Sequence, residues 1–287
     1  MGFLKELYTL TRFEHALMLA IAVLIAIVIV QGGLPSCPCI LLVLLVPIFS
    51  EMGSFALNDY LDIEADKANR MGGRPLVKGT LSPRFALQFS IVCLLGSTII
   101  ALFINPYAFV IALAFNVLAV LYNWKLKDLP LLGNIYIGTT MAIPFIFGNY
   151  VVSPQLSVMA VILALLGFVA GLAREIVKSV EDMEGDIKAR ASRTLPVIIG
   201  ERPALIIAAL LYLIFIALTA APIAFGMKIA IIPAIIILAA DAGILIVAFR
   251  LLTMNKRNRG KALKDARKQS LAFLFLGLIG LLLASLL

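Results

Sequence analysis

Charge is what this sequence has least of. Asp, Glu, Lys and Arg together make 14% of its 287 residues, where a soluble domain carries roughly a quarter. The deficit excludes an ordinary water-soluble fold, because 62% of the residues are hydrophobic and the mean hydropathy is +1.08. One core cannot hide that much apolar surface from water. The single histidine, His15, stands near the start of the first apolar run and reads as interfacial. The three cysteines, Cys37, Cys39 and Cys93, supply neither a disulfide framework nor a thiolate metal site, and read as small apolar residues. Long soluble stretches are absent too, so the chain from 1 to 287 reads as one membrane-embedded domain.

What is abundant is apolar sequence in runs of spanning length, roughly 20 residues each. Such windows fall at about 13–31, 37–58, 85–104, 107–124, 131–151, 155–177, 203–221, 228–250 and 270–287. Nine transmembrane helices are therefore expected. The first, with Ala16 to Val30 at its heart, lacks a small-residue cleavage site after it and reads as a span, not as a removable signal. The basic residues support that count. With nine spans, all 24 Lys and Arg except Lys228 fall on one side of the membrane. By the positive-inside rule that side is cytoplasmic, which places the N-terminus inside and the C-terminus outside. The net charge of +8 is thus a topology signal, with attraction to anionic lipid heads added; it does not indicate nucleic acid. The run Arg250–Lys268 reads as a solvated connection.

The scarce acids are not scattered. Half of the 16 lie in two clusters, Asn58-Asp59-Tyr60-Leu61-Asp62-Ile63-Glu64-Ala65-Asp66 and Glu181-Asp182-Met183-Glu184-Gly185-Asp186. Asn58, Asp62 and Asp66 are spaced four apart, as are Asp182 and Asp186, and helical residues at that spacing share a face. Like charges on one face repel unless a cation joins them. A hard divalent cation takes oxygen ligands, and Mg²⁺ in particular is shared between a few carboxylates and substrate phosphates. Both clusters end apolar runs on the same side. Two carboxylate sets facing one diphosphate would neutralise it as a leaving group.

This pair of motifs resembles the signature of the UbiA superfamily of intramembrane prenyltransferases, N-D-x-x-D-x-x-x-D after the second helix and D-x-x-x-D after the sixth. The resemblance covers the whole chain. It implies an all-α membrane fold: nine transmembrane helices around a central cavity, capped by two cytoplasmic motif-bearing connections. It implies Mg²⁺–diphosphate binding by Asn58, Asp59, Asp62, Asp66, Asp182 and Asp186, with the aspartates carrying the catalysis. Tyr122-Asn123-Trp124-Lys125-Leu126-Lys127 resembles a third family element, in which Tyr122 and either Lys125 or Lys127 contact diphosphate.

The acceptor is a separate question. Arg174, Lys178 and Asp182 lie four apart, so two cations share the face of a metal-binding aspartate. A charge inside an apolar segment, as Arg174 is, is expensive and commonly functional. A second anion site beside the diphosphate is expected there, with Arg70, Arg74 and Lys78 contributing from the other connection, because guanidinium forks match phosphate. The segment from Arg174 to Asp186 also resembles the archaeal branch of the family. That resemblance implies transfer of a geranylgeranyl group from geranylgeranyl diphosphate to the sn-2 hydroxyl of geranylgeranylglyceryl phosphate, the second ether bond of archaeal membrane lipids. The partners are then a prenyl diphosphate, a lipid phosphate and the bilayer, with no protein partner implied. An aromatic acceptor, such as a 4-hydroxybenzoate-type quinone precursor, is the alternative within the family. A transporter is the alternative outside it, disfavoured because only Asp241 is an acid deep in a span. Asp241 reads as a hydrogen-bonded packing residue and Glu51 as a candidate for the cavity wall. Phe55, Tyr60, Tyr122, Phe145 and Tyr150 are candidates to face an allylic cation.

Overall fold

The structure is a computed structural model that describes residues 2–35, 39–68, 72–190, 194–254 and 259–287, with residues 185, 186 and 188–190 described by backbone alone. Helix accounts for nearly all of it. In chain order the helices are α1 (Gly2–Thr11), α2 (Phe13–Gln31), α3 (Ile40–Leu61), α4 (Ile63–Ala68), α5 (Pro75–Lys78), α6 (Pro83–Leu102), α7 (Pro106–Trp124), α8 (Leu132–Val152), α9 (Val158–Arg190), α10 (Leu195–Ile199), α11 (Glu201–Leu218), α12 (Ala221–Ala224), α13 (Ile231–Thr253) and α14 (Arg259–Leu286). Among the described residues, nine helices are long and apolar enough to cross a membrane, the number expected. In lipid every backbone N–H and C=O needs an internal partner, which helices provide within one segment. Caps sharpen two of the starts: the Ser82 side chain accepts from the Phe85 N–H, and Asn105 accepts from Ala108, each followed by proline at the first helical position.

The main pairings are α8 with α9, α3 with α6, α13 with α14, α2 with α8 and α11 with α9. Close approach depends on small residues, as it does wherever lipid removes the hydrophobic drive between helices. A methyl group on Gly148 of α8 would stand 2.6 Å from the Val23 carbonyl oxygen of α2. That neighbour is backbone and cannot swing away. Gly148→Ala is therefore expected to lower stability by about 1–3 kcal/mol, as overpacking does, read as a fall in the detergent-solubilised melting temperature. An unchanged melting temperature would show that α2 and α8 are not held this closely.

Two departures from the sequence reading position the site. The first motif is not on one continuous helix: α3 ends at Leu61, Asp62 takes φ −100° and ψ 9°, and α4 resumes at Ile63. The second motif is not in a connection, because α9 runs unbroken for 33 residues through Asp182 and Asp186. Helix α14 likewise starts at Arg259, about three turns before its apolar run. Leu263, Ala266, Ser270 and Leu274 are buried along it, so its inward face continues through the basic stretch. From Arg259 to Lys268 the basic run is helix with one buried face, while Lys261, Lys264 and Lys268 stay exposed. Cys39 is disulfide-bonded, which corrects its reading as a small apolar residue, while Cys93 is a buried free thiol.

Candidate active site

Three pieces of chain bring the first motif together: the last turn of α3, the break at Asp62 and the first turn of α4. Their carboxylates are buried, with Asp59 1%, Asp62 7% and Asp66 5% exposed. A buried carboxylate is costly without a partner, and each has one. Asp59 receives Arg12 at 2.8 Å and Arg74 at 2.6 Å. Asp62 pairs with Lys127 and accepts from the Asn58 amide at 3.0 Å. The same Asn58 amide donates to Asn123 of α7 at 2.9 Å, which ties α3 to α7.

Asp66 is 2.7 Å from the same Arg74 nitrogen that contacts Asp59. Its Oδ2 nonetheless has no aligned hydrogen bond among the described residues. The contact is a charge pair, and the oxygen keeps acceptor capacity. Burial pushes the Asp66 carboxyl up to about 7, with Arg74 opposing the rise. One positive atom between two carboxylate oxygens is the arrangement a divalent cation also makes, so this donor set of hard, buried oxygens fits Mg²⁺. Among the described residues no three acids or histidines stand together as a finished ligand set. Asn58, Asp59, Asp62 and Asp66 are the residues that would hold the ion from this side.

The second motif approaches from α9, against which α4 packs. Asp182 is half-buried on that helix. The side chain of Asp186 and the whole of Arg70 lie outside the described residues.

Between the two motif-bearing elements opens a chamber of about 370 Å³, within the range of small-molecule sites. Asn58, Arg74, Tyr122, Arg174 and Lys178 all line it. The motif carboxylates Asp59, Asp62, Asp66 and Asp182, and Lys127 with them, lie outside its lining, as do two further expected residues. Lys125 is exposed, because the short 3₁₀ turn Leu126–Asp128 sends the chain back and delivers Lys127 to Asp62 instead. Lys78 is exposed and 3.9 Å from Glu6 of α1. Glu51 is on the wall, as its position two turns before Asn58 suggests.

Of the aromatic candidates, Phe55 and Tyr122 reach the chamber, and Tyr122 stacks on Tyr136 with ring centres 4.5 Å apart. Phe145 lines an apolar recess beyond it, Tyr60 packs under α1 against the Leu10 cluster, and Tyr150 stacks on Tyr107.

Four basic lining residues were not assigned to the site from sequence: Arg12, His15, Arg267 and Lys268. Arg12 sits at the α1–α2 break with φ 45° and ψ 54°, a left-handed conformation rare outside glycine. Its guanidinium lies 4.3 Å above the Phe55 ring, and His15 meets the same ring edge-on at 5.5 Å. His15 therefore lines the chamber. A left-handed arginine leaves no mark in a sequence. Arg267 was legible in principle, since it lies on the helical register of Leu263, Ser270 and Leu274.

Two apolar recesses continue from the chamber. One shares Glu51, Ser54, Tyr136 and Thr140 with it and runs between α3, α7 and α8 past Pro47 and Pro144. The other shares Met141 and runs between α2, α9, α13 and α14 to Asp241, whose carboxylate accepts from Thr219 at 2.8 Å. A charged chamber opening onto two oily recesses suits amphiphiles with anionic heads.

Comparisons with known proteins agree. A digeranylgeranylglyceryl phosphate synthase from Archaeoglobus fulgidus is 37% identical over 97% of this chain and 94% of its own length. One from Thermococcus kodakarensis is 32% identical over 98% of both. The solved structure of a digeranylgeranylglyceryl phosphate synthase superposes with a TM-score of 0.73 at 28% identity, covering 99% of each chain. A UbiA homologue from A. fulgidus, solved with GPP and Mg²⁺, shares the fold with a TM-score of 0.63 at 22% identity over 96% of this chain and 99% of its own. The model of the UbiA prenyltransferase family matches residues 19–279, and the chain belongs to that family.

Proposed function

We propose that this protein transfers a geranylgeranyl group from geranylgeranyl diphosphate to the sn-2 hydroxyl of geranylgeranylglyceryl phosphate, in an Mg²⁺-dependent reaction. The observation that carries this reading is a chamber with a basic wall from α9 and α14, bordered on the α3 side by Asn58 and Arg74, which contact the buried carboxylates Asp62 and Asp59. Full-length similarity to two digeranylgeranylglyceryl phosphate synthases supports the acceptor.

Mg²⁺ bound at Asp59, Asp62, Asp66, Asp182 and Asp186, with Asn58, would neutralise the diphosphate as it leaves. Lys127, Arg74 and Arg70 lie on the polypeptide segments that would grip its outer oxygens. The allylic C1–O bond breaks with its electron pair going to diphosphate, and the acceptor oxygen forms the new bond to C1. Its proton passes to a carboxylate or to the departing diphosphate. Phe55 and the stacked Tyr122 offer ring faces to the developing cation. Arg174 and Lys178 form the second anion site, with Lys78 and Lys125 at most peripheral to it. The chain 1–287 acts as one domain, with its N-terminus and motif end cytoplasmic and its C-terminus outside, as the segregation of Lys and Arg supports.

The test incubates purified protein with Mg²⁺, labelled geranylgeranyl diphosphate and either geranylgeranylglyceryl phosphate or 4-hydroxybenzoate. Labelled diether phosphate is the expected product. Product from the aromatic acid alone would refute the acceptor, and prenyl transfer to neither would refute the reading as a whole.

A further inference from the structure

The acceptor's place can be narrowed, given the lipid phosphate reading above. The chamber is lined by six permanent cations, Arg12, Arg74, Arg174, Lys178, Arg267 and Lys268, against the acids Glu51 and Glu175. Four of the six are engaged: Arg12 and Arg74 with Asp59, Lys178 with Glu175 at 3.3 Å, and Arg267 with Glu181 at 3.1 Å. Of the other two, Lys268 is exposed and Arg174 is not. The Arg174 Nε is buried without a hydrogen-bond partner among the described residues. Burial penalises its charge, Glu175 beside it attracts it, and Arg267 and Arg12 repel it. A guanidinium held among others of its sign, with a donor left unmade, is costly unless an anion joins it.

The two recesses decide which anion. Arg174 lies seven residues from Gly167 on α9, and Arg267 lies seven residues from Leu274 on α14. Seven residues are two helical turns, roughly 10 Å, and return each side chain to the same face. Gly167 and Leu274 both line the recess between α2, α9, α13 and α14. The two arginines therefore stand over the mouth of that recess. Asn58, Asn123 and Tyr122 stand instead beside the recess between α3, α7 and α8, on the side that borders the aspartates.

The geometry points to a divided chamber. Arg174 and Arg267 hold the phosphate of the lipid acceptor, whose chain occupies the α9–α14 recess, while the prenyl donor's chain occupies the α3–α7 recess. The acceptor hydroxyl is on the carbon next to the phosphate-bearing one. A phosphate anchored on the basic wall thus turns that hydroxyl toward the diphosphate wall. Arg267 acts as a substrate-binding residue, with Glu181 as its charge partner at 3.1 Å. Gly277 and Ala112 set the depth of the two recesses.

Binding is measured first without metal or donor, in EDTA, on the full-length protein in detergent. Geranylgeranylglyceryl phosphate is compared with uncharged geranylgeranylglycerol. Wild type is expected to favour the phosphate at least tenfold, the size of one charge-assisted pair. Arg267→Gln and Arg174→Gln should cut the preference below about threefold, and Arg267→Lys should keep most of it. Under turnover, Arg267→Gln should raise KM for the acceptor with KM for the donor within about twofold. Full discrimination in Arg267→Gln, or a rise in donor KM in its place, overturns the assignment. A wild type that does not discriminate overturns the lipid phosphate acceptor itself. Gly277→Phe should move the preferred acceptor chain from C20 toward C10 by about tenfold and leave donor preference alone, and Ala112→Phe should do the converse. Rescue by the shorter lipid shows that each variant is folded, and a crossed result places the two chains the other way round.

Discussion

Asp62→Asn is expected to lower turnover by about 10³-fold with the fold intact. Asp62 sits at the α3–α4 break, between the Asn58 amide and the Lys127 ammonium. Asparagine keeps the shape and removes the charge. Charge neutralisation at a leaving phosphate supplies several kcal/mol, and about 4 kcal/mol is a factor of 10³. Asp182→Asn on α9 is expected to cost as much, and the double variant hardly more than either single one, since groups acting as a unit are not additive. The substitution takes the carboxylate charge away from Lys127, whose side chain is 10% exposed. Adding Lys127→Met should restore the melting temperature and leave activity down. Steady-state rates with saturating Mg²⁺ decide the matter. A rate within about tenfold of wild type for either single variant would remove the diphosphate from this wall.

The second large effect is on stability. Arg74 bridges Asp59 and Asp66 through one nitrogen, at 2.6 Å and 2.7 Å, and its side chain is 20% exposed. Taking away one partner of a buried ion pair costs about 3–5 kcal/mol, because the other charge stays behind. Here two carboxylates stay behind, one of them still paired with Arg12. In EDTA, Arg74→Ala is expected to unfold at markedly lower temperature than wild type. Mg²⁺ should raise its melting temperature more than it raises that of wild type, since the cation takes the place of Arg74 between the two carboxylates. Equal stabilisation by Mg²⁺ in the two proteins would show that Asp59 and Asp66 do not share an ion.

These expectations depend on how much of the site could be read before any coordinates. The spans were legible because lipid demands long apolar runs, and the grouping of Asp59, Asp62 and Asp66 because helical spacing alone makes them neighbours. What was not legible is what comes from afar. Asp59 finds Arg12 across 47 residues and Asp62 finds Lys127 across 65. Nothing local chooses Lys127 over Lys125; a three-residue 3₁₀ turn does. Arg267 was lost inside a basic run that looked solvated, since charge content masked the buried register of Leu263, Ala266 and Ser270. His15 looked interfacial because burial beside Phe55 is a property of two helices together. The short helices α4, α5, α10 and α12 carry too few residues for a period to register.

The length of α9 sets the level at which the chemistry takes place. Thirty-three residues without a break make a rod of roughly 50 Å, while the oily layer of a bilayer is about 30 Å deep. In the proposed orientation the surplus would carry Asp182 out of that layer as a stiff mast, into the zone where glycerol and phosphate groups of ordinary lipids float. Both reactants can then keep their tails submerged and their heads at natural height, and reach one another by sliding sideways, with no need for either to be lifted into water.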